Sequence, residues 1–356
     1  MCNQGIRPML LILVTTLMSF DDTTAQTSRT SSARSYVERG NSWLKKGEIE
    51  RAIADYDLAI AFDSGAAIAW RNRGVARQMK GDLAGALSDY ARATELNPRY
   101  ADAYLDRGVI RYSEGQYDAA ISDFNKAIEI NPRDATAWNN RGSTRGEQGN
   151  YDAAIADFTQ AIKLDSRNVE AWVNRCSVRY RQGTYDAAIA DCDRALKLNP
   201  RHAFAWYYRG LARQGKGDPD DAIVDFDRAI TLDPQQAYFY FNRGGVWYQK
   251  GEFGRAIIDF DHTLALDRNL AEAWSHRGLA WVAKQDYSRA IADFDMALKF
   301  NPGLPDVHCN RGVARLYQGK LEEAEADFGR CRELGGVLKP EAERLWREAR
   351  RKRTAK

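Results

Sequence analysis

Residues 135–168 read ATAWNNRGSTRGEQGNYDAAIADFTQAIKLDSRN. In the first half Trp138, Gly142 and Arg145 fall four and then three residues apart, the spacing of one helical face. In the second half Ala154, Ile155, Phe158, Ala161 and Ile162 share a stripe of the same kind. Gly149-Asn150 separates the halves, a turn followed by a residue suited to an N-cap. The stretch is therefore a helix–turn–helix. A single hairpin of this size cannot bury its apolar face alone, so it requires neighbours of the same kind.

The neighbours are present. Arg recurs at 39, 73, 107, 141, 175, 209, 243, 277 and 311, always 34 residues apart. Asp recurs on the same spacing from Asp55 to Asp327, and Gly follows the Arg in eight of nine copies, Cys176 being the exception. Counted from Ala33, nine copies run without insertion over 33–66, 67–100, 101–134, 135–168, 169–202, 203–236, 237–270, 271–304 and 305–338. Places within a copy are numbered from its first residue. Most copies close on Asn-Pro or Asp-Pro, a helix stop. Pro is missing at Ser64, Ser166, Arg268 and Gly336, where a looser bend is expected.

Place four holds Tyr36, Trp70, Tyr104, Trp138, Trp172, Trp206, Tyr240 and Trp274, and then His308. Place 20 is Ala from Ala52 to Ala324, and place 24 is aromatic from Tyr56 to Phe328 except at Cys192. This pattern resembles the tetratricopeptide repeat family, and the likeness spans nearly all of residues 33–338. It implies an all-α solenoid, a right-handed superhelix of antiparallel helix pairs, whose inner groove holds extended peptides. Residues 339–356, with Leu345 and Trp346, read as a capping helix and basic tail.

Places that do not vary among the copies serve stacking. The Trp and Phe stripes read as core, and the Arg and Asp ladders as an ion pair repeated in or between hairpins. Places that vary on the first helix read as recognition. Place six offers Asn72, Asn140, Asn174, Asn242 and Asn310, with His276 in copy eight. Asn is a poor helix former, yet its amide both donates and accepts, so a row of them can hold a peptide backbone. Copies six and seven add Phe204, Tyr207, Tyr208, Tyr238 and Phe241, read as an exposed anchor patch. Packing of these rings against their own neighbours, and Asn that merely solvates, are the competing readings. The carboxylate clamp of chaperone-binding relatives is not expected: Asn41 and Asn72 match it, but Val37, Asp102 and Asp106 stand where cations belong.

The ends and the cysteines bear on location. Arg7 precedes an apolar run from Met9 to Phe20, too short to span a bilayer and consistent with a secretory signal peptide over residues 1–25 and a linker over 26–32. An uncleaved membrane anchor is the alternative. The expected location is a bacterial periplasm, where Cys176 with Cys192 and Cys309 with Cys331 can form local disulfides, or serve as small core residues. From Arg344 to Lys356 there are seven Lys/Arg and one acid, a tail that can touch an anionic surface or remain a frayed, solvated end.

Charged residues make up 28% and the apolar set 44% with a net charge of +3, which disfavours disorder, a multi-span membrane protein and a dedicated nucleic-acid binder. No phosphate loop, CxxC, HExxH or GxSxG motif is present, and the four His lack metal-ligand spacing. The expected protein is non-enzymatic, without cofactor or metal, and binds an extended segment of another protein. A structural subunit of an envelope or secretion complex, using its outer surface and tail, is the alternative.

Overall fold

A computed structural model of the chain describes residues 30–354. The segment expected to be a signal peptide lies outside the described residues. Those described form nineteen helices and no strand. They fall into two compact units that divide between Asn168 and Val169. The first holds α1 (30–45), α2 (Ile49–Phe62), α3 (Ala67–Lys80), α4 (Leu83–Leu96), α5 (Ala101–Ser113), α6 (Tyr117–Ile130), α7 (Ala135–Glu147) and α8 (Tyr151–Leu164). The second holds α9 (Val169–Arg181), α10 (Tyr185–Leu198), α11 (Ala203–Lys216), α12 (Pro219–Leu232), α13 (Ala237–Gln249) and α14 (Phe253–Leu266). It continues with α15 (Ala271–Ala283), α16 (Tyr287–Phe300), α17 (Pro305–Tyr317), α18 (Leu321–Glu333) and α19 (Pro340–Thr354). Odd-numbered helices through α17 are first helices of a copy and even-numbered ones second helices.

Each first helix packs on its own second helix and, within a unit, on the second helix of the preceding copy. First helices of the second unit also touch one another in succession, α9 to α11 and onward to α17. The first helices of that unit thus form one continuous inner face.

Two local devices fix the hairpin. The Gly of place eight lies against the ring of place 24, and a Cβ on Gly142 would stand 2.8 Å from the Phe158 ring. Only a residue without a side chain allows that approach. The tight turn puts Gly at place 15 in the left-handed region, as at Gly149 (φ 79°), and copy eight places Gln285 there at φ 61°.

The connection between copies corrects one expectation. The bends that lack Pro at Ser64, Ser166 and Arg268 are not looser. Asp63, Asp165 and Asp267 take the same backbone angles (φ −142° to −134°, ψ 94° to 95°) as Asn97 (φ −133°, ψ 92°). In each case the side-chain oxygen accepts the backbone N–H two residues on, at 2.9–3.0 Å. The Asx turn, rather than Pro, sets the bend.

The basic tail is helical rather than a frayed end. Helix α19 runs through Thr354, with Arg350 paired to Glu325 (3.2 Å) and Arg353 to Glu322 (2.5 Å). Trp346 lies 5.7 Å from Phe328, and Leu338 and Ala342 are buried in the same cluster as that ring.

Candidate partner-binding face

The ion ladder holds the first helices in place. In copies one to eight the Arg of place seven donates Nε and Nη2 to the two carboxylate oxygens of the place-23 Asp, at 2.6–3.0 Å. Arg311 and Asp327 repeat the pairing in copy nine at 2.6–3.2 Å. In six copies the Arg of place 11 adds a third bond to the same carboxylate, as Arg213 does to Asp225 at 2.8 Å. The Asp is almost fully buried each time. Burial alone would lower the Arg209 pKa, but its bonds to Asp225 and Asp193 hold it raised, so the guanidinium remains charged.

The remaining Arg nitrogen reaches the preceding copy. Arg209, Arg243, Arg277 and Arg311 donate Nη1 to Asp193, Asp227, Asp261 and Asp295 at 2.5–2.6 Å, and Arg73 does so to Asp57. These place-25 acids form only a partial row, broken by Ala91, Asn125, Thr159 and Gly329. The guanidinium also stacks on the place-four ring, 4.5–5.8 Å from its centroid in copies one to eight. The Trp stripe, expected to be core, packs against the core clusters but is only half-buried. Its Nε1 donates to a carbonyl of the preceding loop, as Trp206 does to Pro200 at 2.9 Å. His308 Nε2 meets the Pro302 carbonyl in the same way at 3.2 Å.

The structure divides the Asn row. Asn72 is only 9% exposed and donates to Asn41 Oδ1 at 2.9 Å, an oxygen that also accepts from the Tyr56 hydroxyl. Asn242 spends its amide on Tyr207 Oη (3.0 Å) and the Tyr238 carbonyl (2.7 Å). Asn140 is half-buried and accepts from Asn139 at 3.4 Å. Asn174 and Asn310 are half-buried. His276 Nδ1 bonds the Glu272 carbonyl at 2.8 Å, and its ring meets Phe241 edge-on at 5.1 Å. A uniform row of free amides is thus corrected: Asn72 and Asn242 are used within the fold. In the first unit Asp106 is likewise taken, by Arg71 at 2.7 Å.

The aromatic patch is divided too. Tyr207, expected to be exposed, is 9% exposed and packs on Phe226 and Phe239, its ring 4.8 Å from that of Phe239. Burial, then the neighbouring Tyr208, Tyr180 and Tyr238 hydroxyls, push its pKa upward. Phe239 is fully buried, and the sequence pattern marks it only by its place beside Tyr238 on the opposite side of the helix. Phe204, Tyr208 and Phe241 are half-buried, and Tyr238 is 36% exposed, 6.2 Å from Phe204.

Tyr208 has a reason of its own. The sulfurs of Cys176 and Cys192 are joined at 2.02 Å, in the places where other copies put Gly and an aromatic ring. Cystine is smaller than that ring, and Tyr208 packs over it together with Ala188 and Ala212. Place six of the following copy covers place 24, as His276 covers Phe260 at 5.9 Å. The large Tyr208 offsets the small cystine. Cys309 and Cys331 are joined as well, at 2.03 Å, tying α17 to α18.

Family comparisons agree with this architecture. Tetratricopeptide repeat models match residues 37–94, 139–203, 177–213, 263–305 and 203–236, and a TPR repeat model matches 108–149, together more than half of the chain. The chain belongs to the tetratricopeptide repeat family, an all-α solenoid class of protein–protein interaction scaffold. No curated protein sequence matches it. Among solved structures it is similar to a tetratricopeptide repeat protein from Parabacteroides merdae, with 20% identity, 70% of this chain and 99% of that one covered, and a TM-score of 0.57. Pseudomonas aeruginosa PilF gives 18% identity, coverage of 60% and 96%, and a TM-score of 0.53. The APC/C hetero-tetramer Cut9–Hcn1 gives 15% identity, coverage of 89% and 76%, and a TM-score of 0.57. At these identities the likeness is one of fold.

Proposed function

We propose that the chain is an exported, non-enzymatic scaffold that holds an extended segment of another protein on the first-helix face of copies five to nine. The observation that carries this reading is the ring group of Phe204, Tyr208, Tyr238 and Phe241, the last meeting His276, on a first-helix face whose residues vary between copies. Rings that are partly exposed and already held by their neighbours can bind at low entropic cost. Tyr207 and Asn242 support the patch from beneath. Export accounts for the apolar run at Met9–Phe20 and for two cystines in a chain of this size.

The test uses a partner isolated on the immobilised protein and then purified. Phe204→Ser with Tyr238→Ser should weaken its binding by about 2 kcal/mol or more, the scale of a central anchor, with the helical signal unchanged. Unchanged affinity in a folded double variant would refute the reading. A second reading, assembly through the outer surface, is favoured by Val224 and Ile258, which are 61% and 56% exposed and lie 34 residues apart where other copies carry Ala or Ser. Val224→Ser with Ile258→Ser would then disrupt association and leave peptide binding intact.

A further inference from the structure

The inner face of the second unit has a charge pattern that selects among extended segments. Places two, five, six and nine of copies five to nine form that face, and none of the chain's 52 Lys and Arg residues occupies any of them. Along place two the side chains run Glu170, Phe204, Tyr238, Glu272 and Asp306. Two rings are therefore bracketed by carboxylates. All three acids are exposed. In the first unit the same place holds Arg34, Ile68, Asp102 and Thr136, so an acid there is not a demand of the repeat.

The carboxylates are available as charges. Glu170 accepts from His202 Nε2 at 3.0 Å, and that hydrogen bond, against partial burial, holds its carboxyl below the usual range. Glu272 and Asp306 have no ion-pair partner among the described residues. The guanidinium groups of places seven and 11 are committed to the Asp ladder. Cations do border the face, among them Arg181, at the far end of α9 and near Tyr207, and Lys339, before α19. Beyond Phe241, from which His276 separates it, a cavity of about 480 Å³ is lined by Leu279, Val313 and Leu338 and by Asp306, His276 and Lys339. Apolar walls with a carboxylate among them suit a long aliphatic stem carrying a cation.

We infer that the occupant of this face is an extended protein segment in which an aromatic or aliphatic anchor is flanked by Lys or Arg. This rests on the groove reading above. The anchor lies on Phe204 and Tyr238, and the flanking cations meet Glu170 on one side and Glu272 and Asp306 on the other, with the ring faces adding cation–π attraction.

The test uses three degenerate libraries of short peptides with a fixed central Phe, flanked by Lys/Arg, by Asp/Glu or by Ser/Gln, titrated against the full chain by fluorescence anisotropy. The basic library should bind at least about tenfold tighter than the acidic one and weaken as salt is raised. Glu272→Lys with Asp306→Lys should remove that preference, and Glu272→Gln with Asp306→Asn should halve it on a logarithmic scale, each with an unchanged melting temperature. If the acidic or uncharged library binds as tightly as the basic one, and Phe204→Ser with Tyr238→Ser abolishes that binding, the charge inference fails and the groove reading stands. If the double Ser variant leaves such binding intact, or if no library binds, both fail.

Discussion

Replacing Cys176, Cys192 and Tyr208 together by Gly, Phe and Asn should cost less stability than the sum of its parts. Elsewhere in the chain, place eight is Gly, place 24 is a ring, and place six of the next copy is commonly Asn, as in Gly142, Phe158 and Asn174. Copy five instead joins Cys176 to Cys192, with Cα atoms 5.6 Å apart, and lays Tyr208 over the cystine. Cys176→Gly with Cys192→Phe removes a cross-link over 16 residues, about 3 kcal/mol by loop entropy, and drives the new ring into Tyr208, about 1–3 kcal/mol more. Tyr208→Asn alone empties space above the cystine, at about 1–3 kcal/mol. In the triple variant the new ring fills that space, so the two packing penalties should largely cancel, a coupling of about 2 kcal/mol. Thermal melts, with hydrogen exchange of α9, α10 and α11 to keep the reading local in a repeat array, measure it. Additive losses, with α9 and α10 unprotected in the triple variant, would refute the idea that Tyr208 compensates for the cystine.

Four further outcomes follow from the geometry. Gln285→Gly should stabilise copy eight by about 1 kcal/mol, because Gln285 holds a left-handed φ of 61° where its equivalents are Gly; a lower melting temperature would contradict this. Gly142→Ala should destabilise by about 1–3 kcal/mol, since the added Cβ meets the Phe158 ring at 2.8 Å. Asp225→Asn should cost about 3 kcal/mol, because a fully buried carboxylate bonded to Arg209 and Arg213 is lost, and chemical denaturation reads it directly. Asp261→Asn, at the half-exposed end of the same ladder, should cost about 1 kcal/mol or less in the same assay.

The fold was legible because the repeat has no insertion. One period placed the turns and the Arg–Asp pair at once, and the pair appears in every copy; that Gly of place eight lies against the ring of place 24 is seen only in the structure. The face was legible only in part, since its side chains meet residues of the adjacent copy. Asn72 is turned inward by Asn41, which no period within Asn72's own copy announces. Tyr207 and Tyr208 are neighbours in sequence, yet Tyr207 at place five is buried while Tyr208 at place six lies over the preceding cystine. Val37 and Val173, both buried at place five, carried that signal. The Trp stripe was read only in part, because an aromatic at fixed spacing signals core, while here the ring packs on the core and also carries a guanidinium on one face and bonds a loop carbonyl at its edge.

Photo-crosslinking separates recognition by the inner face from assembly through the outer one. A benzophenone side chain at Tyr238 and, in a separate protein, at Val224 would be irradiated in the native extract. Crosslinks to one partner segment are expected from position 238 and none to it from position 224. Crosslinks to the partner from position 224 alone would mean that the inner face does not do the recognising.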